Sequence, residues 1–286
     1  MRKFLTLLPS LAAAAVATTL TSMPLRADLT EFDIDRNILY SQTSGSAPTT
    51  PVGYFFDSRG DLANAGDFDG GTLTLPPAST LGSPQSYTLV NPTLLNFETG
   101  FLDLGTLNAE FPFGTYTINA TNSGTSASES ASINYTQDAF TADVPALTPT
   151  TFNGLNGLNT ANPFTVNFNS FTPNGAATVG FTFFSITDVG TGTTIVSDSF
   201  LSPTTASALL AANTLAPGTQ YSYELDFSDR IQGTDPLNGV PTNQLFDVRT
   251  DGTFTTGSAV PEPSGTAFAC LALLAVAGFA RRKRFI

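Results

Sequence analysis

Apolar and polar residues alternate along several stretches of this chain. Tyr221, Tyr223, Leu225 and Phe227 fall on one side, with Gln220, Ser222, Glu224, Asp226 and Ser228 on the other. Phe164, Val166 and Phe168 alternate with Thr165, Asn167 and Asn169, and Tyr116, Ile118 and Ala120 repeat the pattern. A period of two with one apolar side marks a half-buried strand. Pro, Gly and Asn turn signals separate these runs, as short antiparallel strands require. The pattern predicts an all-β fold built from one or two β-sandwiches. Val179, Phe181 and Phe183 alternate too, but the apolar phase then slips to Phe184 and Ile186, which predicts a bulge.

The segment Leu215-Ala216-Pro217-Gly218-Thr219-Gln220-Tyr221 has a Leu-x-Pro-x-Thr-x-Tyr spacing. It resembles the tyrosine corner of fibronectin type III and related immunoglobulin-like domains. The resemblance implies that Tyr221 is structural, with its ring in the core and its hydroxyl bonded to upstream backbone. Phe111-Pro112-Phe113-Gly114-Thr115-Tyr116-Thr117 is a weaker echo. Two such domains, 28–143 and 144–257, fit the length, with a linker near Asp143–Thr151 marked by Pro145 and Pro149. One larger, elongated sandwich is the alternative.

Both ends of the sequence carry apolar runs flanked by cations. Arg2-Lys3 precedes a mostly apolar stretch from Phe4 to Leu20, the order of parts of a secretory signal peptide. Ala15-Val16-Ala17 and Leu25-Arg26-Ala27 both offer small-residue cleavage sites; residues 1–27 are taken as the signal helix. At the other end, Val260-Pro261-Glu262-Pro263-Ser264 leads into an uncharged run from Gly265 to Ala280, followed by Arg281-Arg282-Lys283-Arg284. As a helix the run 265–280 would be about 24 Å long, a marginal membrane span. The cations beyond it favour the cytoplasmic side. Pro261 and Pro263 block helix and hold Glu262 on extended, accessible backbone.

An ordinary membrane anchor accounts for the run and its cations alone. The three parts together resemble the PEP-CTERM sorting domain of Gram-negative bacteria, over residues 258–286. The resemblance implies two partners: the inner membrane as a transient anchor, and exosortase, a membrane-embedded cysteine transpeptidase that recognises the tail and cleaves near Val260–Ser264.

Charge sharpens the picture of the middle. All 23 carboxylates lie between Asp28 and Glu262, where Arg36, Arg59, Arg230 and Arg249 are the only cations, leaving −19. Such a surface repels nucleic acid and anionic lipid and attracts divalent cations or cationic polymers. With no histidine and one cysteine, Cys270 within the apolar run, triad hydrolysis and His- or Cys-ligated zinc are excluded. What remains is carboxylate chemistry or binding through oxygen.

Three acidic groups stand out. Asp67-Phe68-Asp69-Gly70-Gly71 could ligate Ca²⁺ but lacks an EF-hand's spacing, and reads as a solvated turn before a strand at Thr72–Leu75. Asp33 and Asp35 alternate with Phe32 and Ile34 and read as the wet side of a strand. Asp226, Asp229, Arg230 and Asp235 fall where the Tyr221–Phe227 strand is expected to end, and read as an Asp–Arg pair stabilising a loop. A carboxylate glycoside hydrolase would need two such acids across a cleft. No catalytic residue, metal or cofactor is assigned. The expected function is non-enzymatic: an exported surface or matrix protein whose sandwiches are structural or adhesive. A secreted carbohydrate-binding module, with extracellular polysaccharide as its partner, is the alternative that exposed Tyr or Phe on one sheet side would favour.

Overall fold

A computed structural model describes residues 28–258. The signal-peptide reading of 1–27, the motif Val260–Ser264, the span 265–280 and the cluster Arg281–Arg284 lie outside the described residues. Among the described residues no helix is long and apolar enough to cross a membrane.

The chain is mostly strand. The first half contains β1 (Leu29–Ser41), β2 (Gly53–Leu62), β3 (Gly70–Thr74), β4 (Gln85–Ser86), β5 (Thr88–Asn91), β6 (Leu94–Phe101), α1 (Leu104–Glu110), β7 (Gly114–Thr121) and β8 (Ser128–Tyr135). The second contains α2 (Pro149–Leu155), β9 (Phe164–Asn167), β10 (Val179–Asp188), β11 (Thr194–Leu201), β12 (Ser207–Leu210), β13 (Gln220–Thr234) and β14 (Pro241–Thr255). Both helices are short and held by side-chain caps: Asp103 accepts from Thr106 N–H at 2.8 Å, and Thr148 from Thr151 N–H at 3.4 Å.

One eight-stranded sheet, ordered β11-β10-β13-β14-β1-β2-β6-β5, runs through both halves. Its centre is a parallel pairing of β1 with β14, from Phe32 against Thr242 to Ser41 against Asp251. Two smaller sheets lie against the inner side: β4-β3-β7-β8, and the β12-β9 pair. Each makes its own core.

Under the four-stranded sheet, Phe32, Ile34, Phe56 and Leu95 meet Leu73, Tyr116, Ile118 and Tyr135. The Phe56 and Phe111 rings stack at 3.8 Å. Under the two-stranded sheet, Phe184, Ile186, Leu225 and Phe227 meet Val166, Phe168 and Leu210. Long β14 serves both, with Phe246 in the first core and Phe254 in the second. Burial of these rings and branched chains is the main driving force for the layering.

Both corners form. Tyr221, 2% exposed, accepts from Ala216 N–H at 2.8 Å. Tyr116, fully buried, donates to the Pro112 carbonyl at 2.7 Å. Tyr221→Phe should cost about 1–2 kcal/mol, because it strands a backbone N–H. Tyr116→Phe should cost less, since a carbonyl tolerates one empty lone pair better than a buried donor tolerates none. Urea unfolding of the two variants checks the order.

A second lock joins the halves near the end of β1. Gln42 donates to the Leu147 carbonyl at 3.0 Å and accepts from Leu147 N–H at 2.9 Å and from the Tyr223 hydroxyl at 3.0 Å. Tyr223 reaches it by lying flat over Gly252, its partner on β14. A Cβ at Gly252 would sit 2.5 Å from that ring, so only glycine fits.

The expected bulge falls elsewhere. The β10–β13 register runs unbroken from Val179 against Arg230 to Asp188 against Tyr221. β10 is apolar on both sides: Phe184 and Ile186 enter the core, whereas Phe181 and Phe183 face the opposite side. The extra residues belong to the neighbouring edge strand β11, one between Asp198 and Leu201, opposite the Thr182–Phe184 step, and one between Thr194 and Val196.

Candidate functional site

The outer side of the large sheet, away from both cores, holds an open trough of about 640 Å³. Strand periodicity dictates its lining. On β1, Phe32, Ile34 and Arg36 face inward, so Asp33, Asp35 and Asn37 face outward. On β2 the outward residues are Phe55, Asp57 and Arg59; on β13, Glu224, Asp226, Ser228 and Arg230; on β14, Leu245, Asp247, Arg249 and Asp251. All but Asp33 line the trough, together with Glu98 of β6. Registry puts Asp35 beside Asp57, and Asp57 beside Glu98. Three carboxylates in one row repel.

Three of the four arginines of the described residues are spent here. Arg249 binds Glu224 at 2.8 Å and Asp251 at 2.8 Å. Arg59 lies 3.5 Å from Asp57 and 3.7 Å from Asp33. Arg230 stacks on Phe181, its guanidinium carbon 5.3 Å from the ring centre. The lining still carries seven carboxylates against three guanidiniums.

The result is a set of carboxyls that hold protons tightly. Burial pushes Asp57 up to about 7, helped by the neighbouring Asp35 charge. Burial likewise raises Asp33 to about 6, partly offset by the 2.7 Å bond from Asn243. Asp226 and Asp247 stand well above the usual carboxylate range, first through burial and then through neighbouring acids. Burial raises Asp35 as well, opposed by Arg59.

The aromatic wall comes from Phe55, Phe181, Phe183 and Phe200. Phe200 is 71% exposed and sits in the β11 bulge with φ of +58°. A bulky residue in the left-handed region is strained. Its ring leans on Phe181 at 5.0 Å. A second hollow of about 560 Å³ shares Glu224, Arg249 and Asp251 and continues toward Gln42 and Phe152.

The acidic groups singled out in the sequence land apart. Asp33 and Asp35 are each 7% exposed, not on a wet side, because the broad sheet and its long side chains bury its central strands from above. Asp226, Asp229, Arg230 and Asp235 do not form one cluster at a strand end, since β13 continues to Thr234. Asp226 and Arg230 face the trough, Asp229 faces inward and accepts from Asn174 N–H at 2.9 Å, and Asp235 accepts from Ser132 N–H at 2.8 Å. In the turn, Asp69 binds Ser123 N–H at 3.0 Å and Asp67 accepts from Asn64 N–H at 2.8 Å. Both carboxylates are thus used in loop structure. Among the described residues no three His, Cys, Asp or Glu side chains gather as a metal-binding group. The trough escapes a reading of the sequence because its charged members come from five strands; the outward Phe181–Phe183 pair is its one legible sign.

No protein-family model matches this chain, and no curated protein matches it. Among solved structures it is similar to the FN1–FN3 domains of chicken CNTN1, with 15% identity, 76% of this chain and 68% of that chain covered, and a TM-score of 0.24. It is also similar to titin domains A168–A170, at 8% identity, 73% and 59% coverage and a TM-score of 0.20. A tetra-tandem repeat in the extending region of a large adhesion protein gives 11% identity, 78% and 49% coverage and a TM-score of 0.21.

Proposed function

We propose that this chain is an exported bacterial surface or extracellular-matrix protein, sorted and processed by exosortase through the segment 258–286. The observation that carries the reading is the order of three parts: Pro261-Glu262-Pro263, the charge-free run 265–280, and Arg281–Arg284. Each part has its own physical role. The first is an extended site for cleavage, the second a marginal anchor in the inner membrane, and the third a cationic stop. In this reading the β-sandwiches are fibronectin III-like modules with a structural or adhesive role, and the protein is not an enzyme. The continuous sheet supports a spacer role, because β1, β13 and β14 carry backbone hydrogen bonds from one core to the other.

Replacing Pro261-Glu262-Pro263 by alanines should leave an unprocessed form in the inner membrane, seen as a larger mass with residues 265–286 retained. Unchanged mass and location of that variant would end the sorting claim.

A second reading is favoured by one observation. Phe55, Phe181, Phe183 and Phe200 stand beside carboxylates and arginines on an open sheet side, a composition suited to carbohydrate binding.

A further inference from the structure

The trough presents more than an acidic cluster. Asp226 is 9% exposed, forms part of its floor, and has an Oδ1 without a hydrogen-bond partner, whereas Asp35 and Asp247 bond to each other and Ser228 bonds to Asp247. On the same strand the Arg230 Nε–H also lacks a partner. Unmade hydrogen bonds of buried polar groups are costly. Here an unpartnered acceptor and an unpartnered donor lie on one side of β13, under an aromatic wall whose outermost ring, Phe200, is held outward by a strained backbone.

Each feature narrows the ligand. A metal ion would satisfy only acceptors, and no metal-binding group of carboxylates forms among the described residues. A plain polyamine only donates. Uronic acids meet the excess of carboxylates. A sugar ring both donates and accepts through its hydroxyls, and its apolar side packs on phenyl rings. An ammonium substituent adds three donors and a charge opposite to the lining.

We propose that the outer trough of the eight-stranded sheet is a binding site for a glycan bearing free amino groups, with one amine taking the proton of the Asp226 carboxyl and held there as the ammonium, and a ring packed on Phe200. The assignment does not depend on sorting by the tail; it requires only the trough.

The test is calorimetric titration of the full-length protein in detergent with glucosamine hexamer, N-acetylglucosamine hexamer and spermidine. The amino hexamer should bind, with the acetylated hexamer and spermidine each at least about tenfold weaker. Asp226→Asn should weaken amino-hexamer binding about tenfold and Phe200→Ala about fivefold. Glu110→Gln, which removes a carboxylate outside the trough, should have no effect. Phe200 is exposed, so its variant keeps the test valid if Asp226→Asn fails to fold. Equal binding of all three probes, equal losses in Glu110→Gln and Asp226→Asn, or unchanged affinity in Phe200→Ala would each overturn the proposal.

Discussion

Arg36→Met is expected to destabilise the protein by about 3 kcal/mol, more than any surface change. Arg36 is 1% exposed and sits on the inner side of β1, within the first core. Its Nη1 donates to the Tyr135 hydroxyl at 2.6 Å and to Asp138 Oδ1 at 2.7 Å, and its Nη2 donates to Asn108 Oδ1. The guanidinium also lies over the Tyr135 ring, 5.4 Å from its centre. One side chain thus ties β1 to β8, α1 and the segment after β8. Methionine fills much of the volume but leaves Asn108 and Tyr135 short of a partner. The Asp138 side chain is 36% exposed, so water recovers part of its loss, which places the cost at the lower end for a broken buried pair. Arg36→Lys should recover only part, because an ammonium on a flexible stem cannot span both bonding directions. Urea unfolding, with midpoints and slopes compared, checks both variants; wild-type stability in Arg36→Met would show that the network contributes nothing.

The protein should also melt higher near pH 5 than near pH 8. Asp33 and Asp229 stand at about 6 and Asp57 at about 7, each raised chiefly by burial from an ordinary value of 3.8. The folded state therefore holds protons that the unfolded chain releases. For raised carboxyls the stabilisation is complete below the unfolded value and is lost as pH rises through the folded one. Above about pH 5 the unfolded chain has already released these protons, so each unit of pH up to the folded value costs about 1.4 kcal/mol per group. Mutual screening and relaxation reduce the sum to about 3 kcal/mol, or roughly 5–10 °C in melting temperature.

Below that range the trend reverses, because Asp69, Asp103 and Asp235 are held down by hydrogen bonds to their ionised forms. In Asp235 burial opposes the bonds from Asn238, Leu237 and Ser132 but does not outweigh them. A calorimetric series from about pH 4 to pH 9 should show a maximum near pH 5, and Asp57→Asn should flatten its alkaline limb. A melting temperature that climbs steadily to pH 8 would contradict the protonated trough.

Local patterns were legible at the level of single strands. The alternation of Tyr221, Tyr223, Leu225 and Phe227 identified the buried side of β13, and Tyr116, Ile118 and Ala120 that of β7, all of them core residues. The Leu215–Tyr221 spacing led to the hydroxyl–backbone bond that the fold contains. These features follow from period two and from a turn whose geometry is set within seven residues.

What alternation does not reveal is what covers the other side. Asp33 and Asp35 have the spacing of solvent-facing residues, yet neighbouring strands bury them. Phe181 and Phe183 have the spacing of core residues, yet they line the trough.

The sequence by itself determined that the middle is mostly β, which residues of several strands share a side, that the Tyr221 hydroxyl anchors on upstream backbone, and how few cations stand among the carboxylates. Only the tertiary structure decided that β1 joins β14 in parallel, that both cores share one sheet, and that seven acids and three arginines from five strands meet in one trough. The physical reason is range. Side-chain alternation and turn chemistry are written in adjacent residues, whereas the pairing of Ile34 with Gln244 depends on burying two apolar surfaces at once, and no local pattern records it.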